Sequence, residues 1–447
     1  MRLLSLALIA ITTLVRPVFA QEISSFSLDN GMDVLVIEDH RAPVVVQMVW
    51  YRAGAADEPA GVSGVAHFLE HLLFKATDDL KAGELSNTVA ANGGSDNAFT
   101  SQDYTAYYQR IAADRLELVM KMEADRMRNL RLTADDIATE RDVILEERNS
   151  RTENNPDALF REQRAAAQYM NHPYGIPIVG WKHEMQQLSL QDAMAFYKRF
   201  YAPNNAILIV AGDVSPDEVL ALAEKYYGPL APTVDLPKRK RPTEPPQRSE
   251  RRMAFVDDRI AQPYVIRGYL APERNAGDQK QAAALTMLAQ LLGGNSQTSF
   301  LGRKLQFESK KAIYTSAYYD GMSLDKTTFG LVIVPSVGIS LAEGEKLLDE
   351  TIAEFIKEGV DEEQFARMKM QIRAGQIYEQ DDVQDLANEY GAALTQGLTI
   401  KDVKDWPQIL QDVSKQDVIK AAELLLDKNR AVTGWLTNPQ NPQEASK

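Results

Sequence analysis

The chain has 447 residues, 45% of them hydrophobic and 25% charged, with no cysteine and a formal net charge of −14. That length exceeds one ordinary core and calls for two or more domains, and the composition is that of a globular protein. The acidic balance argues against nucleic acid as a partner, and the lack of cysteine excludes both a disulfide framework and a lipid-anchored cysteine.

Residues 1–20 stand apart. Met1-Arg2 is a basic start, Leu3 to Val15 an apolar run, and Val18-Phe19-Ala20 sets small residues at the −3 and −1 positions of a cleavage site before Gln21. This reads as a secretory signal peptide, which puts the mature chain in a bacterial-type periplasm. A transmembrane anchor is the weaker reading, because the run is short and Arg16-Pro17 interrupts it. No later segment is apolar for long enough to span a bilayer, so no membrane insertion is expected.

From Ile23 to Tyr51 the text alternates like a hairpin, with a turn at Asp29-Asn30-Gly31 and a break from Glu38 to Pro43. A helix follows at about 63–74 and carries His67-Phe68-Leu69-Glu70-His71. Positions i, i+3 and i+4 share a helix face, so His67, Glu70 and His71 point the same way. Two imidazoles one turn apart grip Zn²⁺, and a carboxylate between them can reach a metal-bound water without being a ligand. The H-x-x-E-H order is that of an inverted zinc-peptidase motif.

A helix near 82–91 leads to a Gly93-Gly94 turn and an alternating stretch from Ser95 to Tyr108, an exposed strand. Helices are expected over 112–128, 134–152, 156–170, 189–200 and 216–227, with a buried strand at Ala206 to Gly212. The helix at 134–152 holds the candidates for a third ligand. Positions 140, 143, 144 and 147 form one stripe, on which Val143 and Ile144 bury the face that carries Glu140 and Glu147. Buried carboxylates are costly unless a cation or donors meet them. Glu146, about 100° round the helix from Glu147, remains a rival.

Leu236 to Glu250, with Lys238-Arg239-Lys240-Arg241-Pro242, reads as a linker whose basic run is a solvated hinge. The grammar then repeats. A strand at Tyr264–Tyr269, a helix at Asp278–Leu292 and a strand at Phe329–Val334 precede helices at about 341–358, 361–379 and 381–396. Ser189-x-x-Asp192 and Ser414-x-x-Asp417 each open a helix, and each is followed, twelve residues after the Asp, by an Asn before a strand. The expected fold class is therefore α+β, with two similar domains (mixed sheets packed by helices) at 21–235 and 253–447, joined by a linker at 236–252. Aligning Leu72-Leu73 with Leu291-Leu292 puts Thr286, Ala289 and Gln290 opposite His67, Glu70 and His71, so only the first half can hold metal.

Taken together, His67 to Lys75, Asn97-Ala98-Phe99-Thr100 with Asp103-Tyr104-Thr105, Glu140 to Glu147, and His172-Pro173-Tyr174-Gly175 resemble the pitrilysin-like zinc peptidases (insulinase, mitochondrial processing peptidase). The resemblance implies one Zn²⁺ per chain on His67, His71 and Glu147, the last lying 76 residues beyond His71. It implies Glu70 as the base that activates water and Glu140 as a supporting carboxylate. The strand with Gly94, Asn97, Ala98 and Phe99 would pair with the substrate backbone, and the two domains would form a clamshell around a peptide. Tyr314 takes the position of a tyrosine that holds the substrate carbonyl, but the companion arginine position falls on Gln306, and Arg303 comes about one turn early.

That departure favours a partner subunit, either a second copy or a metal-free homologous chain. It also keeps open the alternative of a non-catalytic scaffold subunit. His172 and His183 are expected to be packing or loop residues, and His40 to be solvated.

Overall fold

The computed structural model describes residues 22–379 and 381–439; the expected signal peptide lies outside them. Among the described residues eleven strands form two sheets. The first contains β1 (Ile23–Ser27), β2 (Asp33–Glu38), β3 (Val44–Tyr51), β4 (Ser95–Thr100), β5 (Thr105–Ala112) and β6 (Ala206–Gly212), in the order β1-β2-β6-β3-β5-β4. The second contains β7 (Arg251–Val256), β8 (Tyr264–Ala271), β9 (Ala312–Tyr319), β10 (Thr327–Pro335) and β11 (Ala431–Thr437), in the order β7-β11-β8-β10-β9. Among the described residues only β2–β6 and β7–β11 pair in parallel. Apart from β1, the second sheet repeats the first strand for strand, which is the two-domain α+β architecture expected from the repeated grammar.

The central strands are apolar on both faces because both faces are covered. On β3, Val45, Val49 and Tyr51 enter one core, with helices α1 (Val65–Leu72) and α3 (Leu116–Arg128) among those covering it, while Val46, Met48 and Trp50 enter another. That second core is closed by a helix from the far half of the chain. Leu386, Ala387, Tyr390 and Ala393 of the helix Val383–Thr395 lie on Trp50, Ile207 and Ile209, so closely that a Cβ at Gly391 would sit 2.0 Å from the indole of Trp50. The exchange is reciprocal. Helix α5 (Pro156–Gln168), from the first half, lays Phe160 on Ile266, Leu436 and Gly434 of the second sheet.

The segment 236–250 departs from the solvated hinge read from its composition. Lys238 and Lys240 are exposed, but the Arg241 side chain is only 6% exposed and ties the halves together. Its guanidinium meets Asp57 (3.0 Å), Asp103 and Asp325 (3.3 Å), while Arg239 meets Asp57 at 2.8 Å. Tyr174 donates its hydroxyl proton to Asp103 (2.7 Å), and His172 Nε2 lies 3.1 Å from Asp325. Buried acids in the loops that meet here need cations, and the linker arginines supply them.

Several helix boundaries also differ from expectation, three of them in the first half near the metal-type helix. The segment at 112–128 begins as the end of β5, and its helix starts at Leu116; α4 (Ala134–Arg148) passes into a π-helical turn at Asn149–Glu153; and the helix near 82–91 is α2 (Glu84–Ala91). Among the described residues no helix is long and apolar enough to cross a membrane.

Candidate metal centre

The helix that carries His67 and His71 starts in a tight place. Gly64, at its N-terminus, has φ of +90°, and a Cβ there would sit 2.4 Å from the carbonyl oxygen of Val179, so no capping side chain fits. Glu58 supplies the cap from a neighbouring loop, its carboxylate accepting from the Gly64 and Ala66 amides at 2.9 and 2.8 Å. The rest of α1 is held by Phe68, Leu69 and Leu72, all fully buried.

On the face left open, the donor atoms of His67, His71 and Glu147 all lie within 4.8 Å of one another. Glu147 Oε2 is 3.5 Å from His67 Nε2 and 3.3 Å from His71 Nε2. His71 Nδ1 bonds Glu140 Oε1 at 2.9 Å, and Lys75 Nζ meets the other Glu140 oxygen at 2.6 Å. This chain of contacts turns His71 so that Nε2 faces the centre. His67 has no counterpart: its Nδ1 is buried without a partner among the described residues. Glu70 sits beside the cluster, its Oε2 accepting from Thr100 Oγ1 at 2.5 Å.

The electrostatics suit a cation. Burial, reinforced by the neighbouring His71, lowers His67 to about 4, so its imidazole is neutral and has a lone pair to give. At His71 burial acts in the same direction but is outweighed by the hydrogen bonds to Glu140 and Glu147, which raise it to about 9. The His71 hydrogen bond holds Glu140 down at about 2, and the same imidazole lowers Glu147. Burial raises Glu70, against the pull of the Thr100 hydroxyl. Two imidazoles and a carboxylate form a donor set that suits catalytic zinc, and the residues present fit that ion.

The expected stripe on α4 needs one correction. Val143 is 45% exposed, whereas Ile137, Glu140, Ile144 and Arg148 are buried. At about 100° per residue, the buried face centres on the 140–144–148 row, and Val143 falls at its rim. Glu147 lies about 60° from Ile144 and reaches the cluster, while Glu146 points away and is exposed.

β4 lies at the sheet edge, paired on one side with β5. Ala98 and Thr100 face α1. Asn97 and Phe99 face the other way, and the Phe99 ring packs edge-on against Trp50 at 5.3 Å, away from the cluster. The Asn97 side chain accepts from the Ala98 amide (2.9 Å), and Gly94 packs on Arg110. Tyr314 is on β9, 47% exposed, and makes no hydrogen bond to the cluster among the described residues.

The Gln306 amide turns back to Thr315 (2.8 Å) and Ile313 (3.3 Å), and Arg303 bonds Gln364 at 3.0 Å. His172 is buried at the interdomain contact, His183 is exposed, and His40 pairs with Asp213 at 2.7 Å. Sequence reasoning gave no role to Glu58, Lys75 or Thr100. A helix that begins on a glycine, with no side-chain cap of its own, was the signal for the first.

Residues 33–181 match the insulinase (peptidase family M16) profile, and residues 187–372 match the peptidase M16 inactive domain. The chain is 30% identical over 447 residues to the zinc protease PqqE of Helicobacter pylori, covering 97% of this chain and 98% of that one. It is also 30% identical over 387 residues to an uncharacterized zinc protease of Mycobacterium leprae, covering 85% and 84% of the two. The crystal structure of a protease from Helicobacter pylori superposes with a TM-score of 0.85 at 28% identity, covering 93% of this chain and all of the other. Full-length similarity, together with a metal-type helix in the half that matches the active profile, establishes that this chain belongs to the insulinase family of peptidases, family M16.

Proposed function

We propose that the chain is a zinc-dependent endopeptidase that hydrolyses peptides or unfolded protein segments inside an enclosed chamber in the periplasm. The observation that carries this reading is the convergence of His67, His71 and Glu147 donor atoms within 4.8 Å, with Glu70 alongside. A bound Zn²⁺ would polarise the scissile carbonyl and make a water acidic at neutral pH.

Glu70 holds one carboxylate oxygen on Thr100 and keeps the other for proton transfer. It takes a proton from the attacking water and delivers it to the leaving amine, so that a C–O bond forms as the C–N bond breaks. Glu140 and Lys75 keep His71 oriented. The outer edge of β4, at Asn97, Ala98 and Phe99 and led into by Gly94, adds an extended peptide as a further strand, for which the Asn97 side chain must leave the Ala98 amide. Tyr314 is assigned as the oxyanion donor.

The exchanged helices and the Arg241 contacts hold the two halves to each other, so a chamber that closes requires a second two-domain body. We assign this to a second copy or to a metal-free homologous chain. The scaffold alternative draws on the inward-turned Gln306 and is opposed by the intact donor set.

The test combines zinc stoichiometry, native mass and chelator-sensitive cleavage of a quenched peptide. Glu70→Gln should retain one zinc and lose about 10²–10⁴-fold in turnover. A chain that takes up no zinc, or an E70Q variant of full activity, would overturn the reading.

A further inference from the structure

We infer that Arg151 is a positioning residue for the metal centre, holding the outer oxygen of Glu147 so that this carboxylate offers a single oxygen to the ion. The inference rests on the zinc reading above. Glu147 Oε2 faces both imidazoles, at 3.5 and 3.3 Å, while its Oε1 carries the Arg151 guanidinium. The turn that bears Arg151 is anchored independently. Arg148, with 4% of its side chain exposed, bonds Glu153 (3.0 Å), Glu162 (2.7 Å) and the Gly180 carbonyl (2.8 Å), which fixes the π-helical turn Asn149–Glu153.

The competing account is an ordinary surface ion pair at i, i+4 spacing. The Arg151 side chain is 73% exposed, and such pairs contribute about 0–1 kcal/mol. What sets this pair apart is its acceptor. The Glu147 side chain is only 15% exposed, and its other oxygen completes the donor set. A carboxylate with both oxygens free can close on a cation with both, which would fill the position that a catalytic site must leave for water. A guanidinium on one oxygen prevents this and adds a charge-assisted bond that directs the ligand.

The test uses the full chain with Arg151→Ala and Arg151→Lys. Zinc affinity is measured by competition with a chromophoric chelator, and coordination by the visible absorption of the Co²⁺-substituted protein. R151A should bind zinc about 10–100-fold more weakly than wild type and show an altered Co²⁺ spectrum, with an unchanged metal-free melting temperature. R151K should recover part of the affinity. An R151A variant with wild-type zinc affinity and an unaltered Co²⁺ spectrum would reduce Arg151 to a surface ion pair and overturn the inference. Wild-type chain that binds no metal would instead remove the peptidase reading beneath it.

Discussion

Arg241 is the residue whose loss should reach furthest. Replacing it by Met keeps the aliphatic stem and removes a guanidinium that meets Asp57, Asp103 and Asp325. Removing one partner of a buried ion pair costs about 3–5 kcal/mol, because the charge left behind stays buried. Here the remaining partners soften the loss. Asp103 keeps the Tyr174 hydroxyl and the Leu324 amide, Asp57 keeps Arg239, and Asp325 is partly exposed. The low end applies, about 3 kcal/mol, which corresponds to a melting-temperature drop of about 6–12 °C for a unit of 150–250 residues.

The same variant should reach the chemistry. Asp103 is at the tip of the β4–β5 hairpin, three residues after the Thr100 that donates to Glu70. A loosened tip lets that hydroxyl drift, so kcat should fall while zinc content holds. Calorimetry of the metal-free chain, zinc analysis and peptide cleavage together read all three. A melting temperature within about 1 °C of wild type, less than 1 kcal/mol on this scale, would show that the acids do not depend on Arg241 and refute the argument.

Two further outcomes follow from the packing and the charges. His71 is raised on folding from its ordinary 6.5 to about 9, and a histidine raised in this way adds stability that is complete below pH 6.5 and vanishes as pH climbs through 9. The metal-free chain should therefore lose melting temperature across that window and Glu140→Gln should flatten the slope; a flat wild-type profile counts against the His71–Glu140 pair. A chain ending at residue 250 lacks the helix Val383–Thr395 and bares Trp50, Met48 and Ile209, so it should aggregate, as size-exclusion chromatography would show. A soluble, cooperatively melting fragment would mean that the exchanged helix is dispensable.

What could be read from the residues was what is local. His67, Glu70 and His71 lie within five positions, and helical period alone puts them on one face. β6 showed as an unbroken apolar run because both of its faces are covered. β7 and β9 did not show. β7 alternates with arginines next to a proline-rich stretch, and β9 is an edge strand that exposes Ile313, Tyr314 and Tyr318. Val143 was misplaced because a four-residue stripe does not say where its centre falls. The burial of Arg241 depends on partners 84 to 184 positions away, and the seating of Gly391 on Trp50 joins the two halves of the chain, which no local pattern names.

The absence of metal ligands in the second half has a packing counterpart. The helix Lys280–Ala289 follows β8 and precedes β9, just as α1 follows β3 and precedes β4, so the two occupy the same place in their sheets. In the first half Glu70 reaches from the helix to Thr100 of β4. In the second, the helix runs on through Gln290–Gly294 into β9 itself, and a Cβ at Gly293 would lie 2.1 Å from the Ala317 amide nitrogen. Glycine is required there because the backbones touch. With Thr286, Ala289 and Gln290 in the positions of the two histidines and the glutamate, the second half lacks the donors.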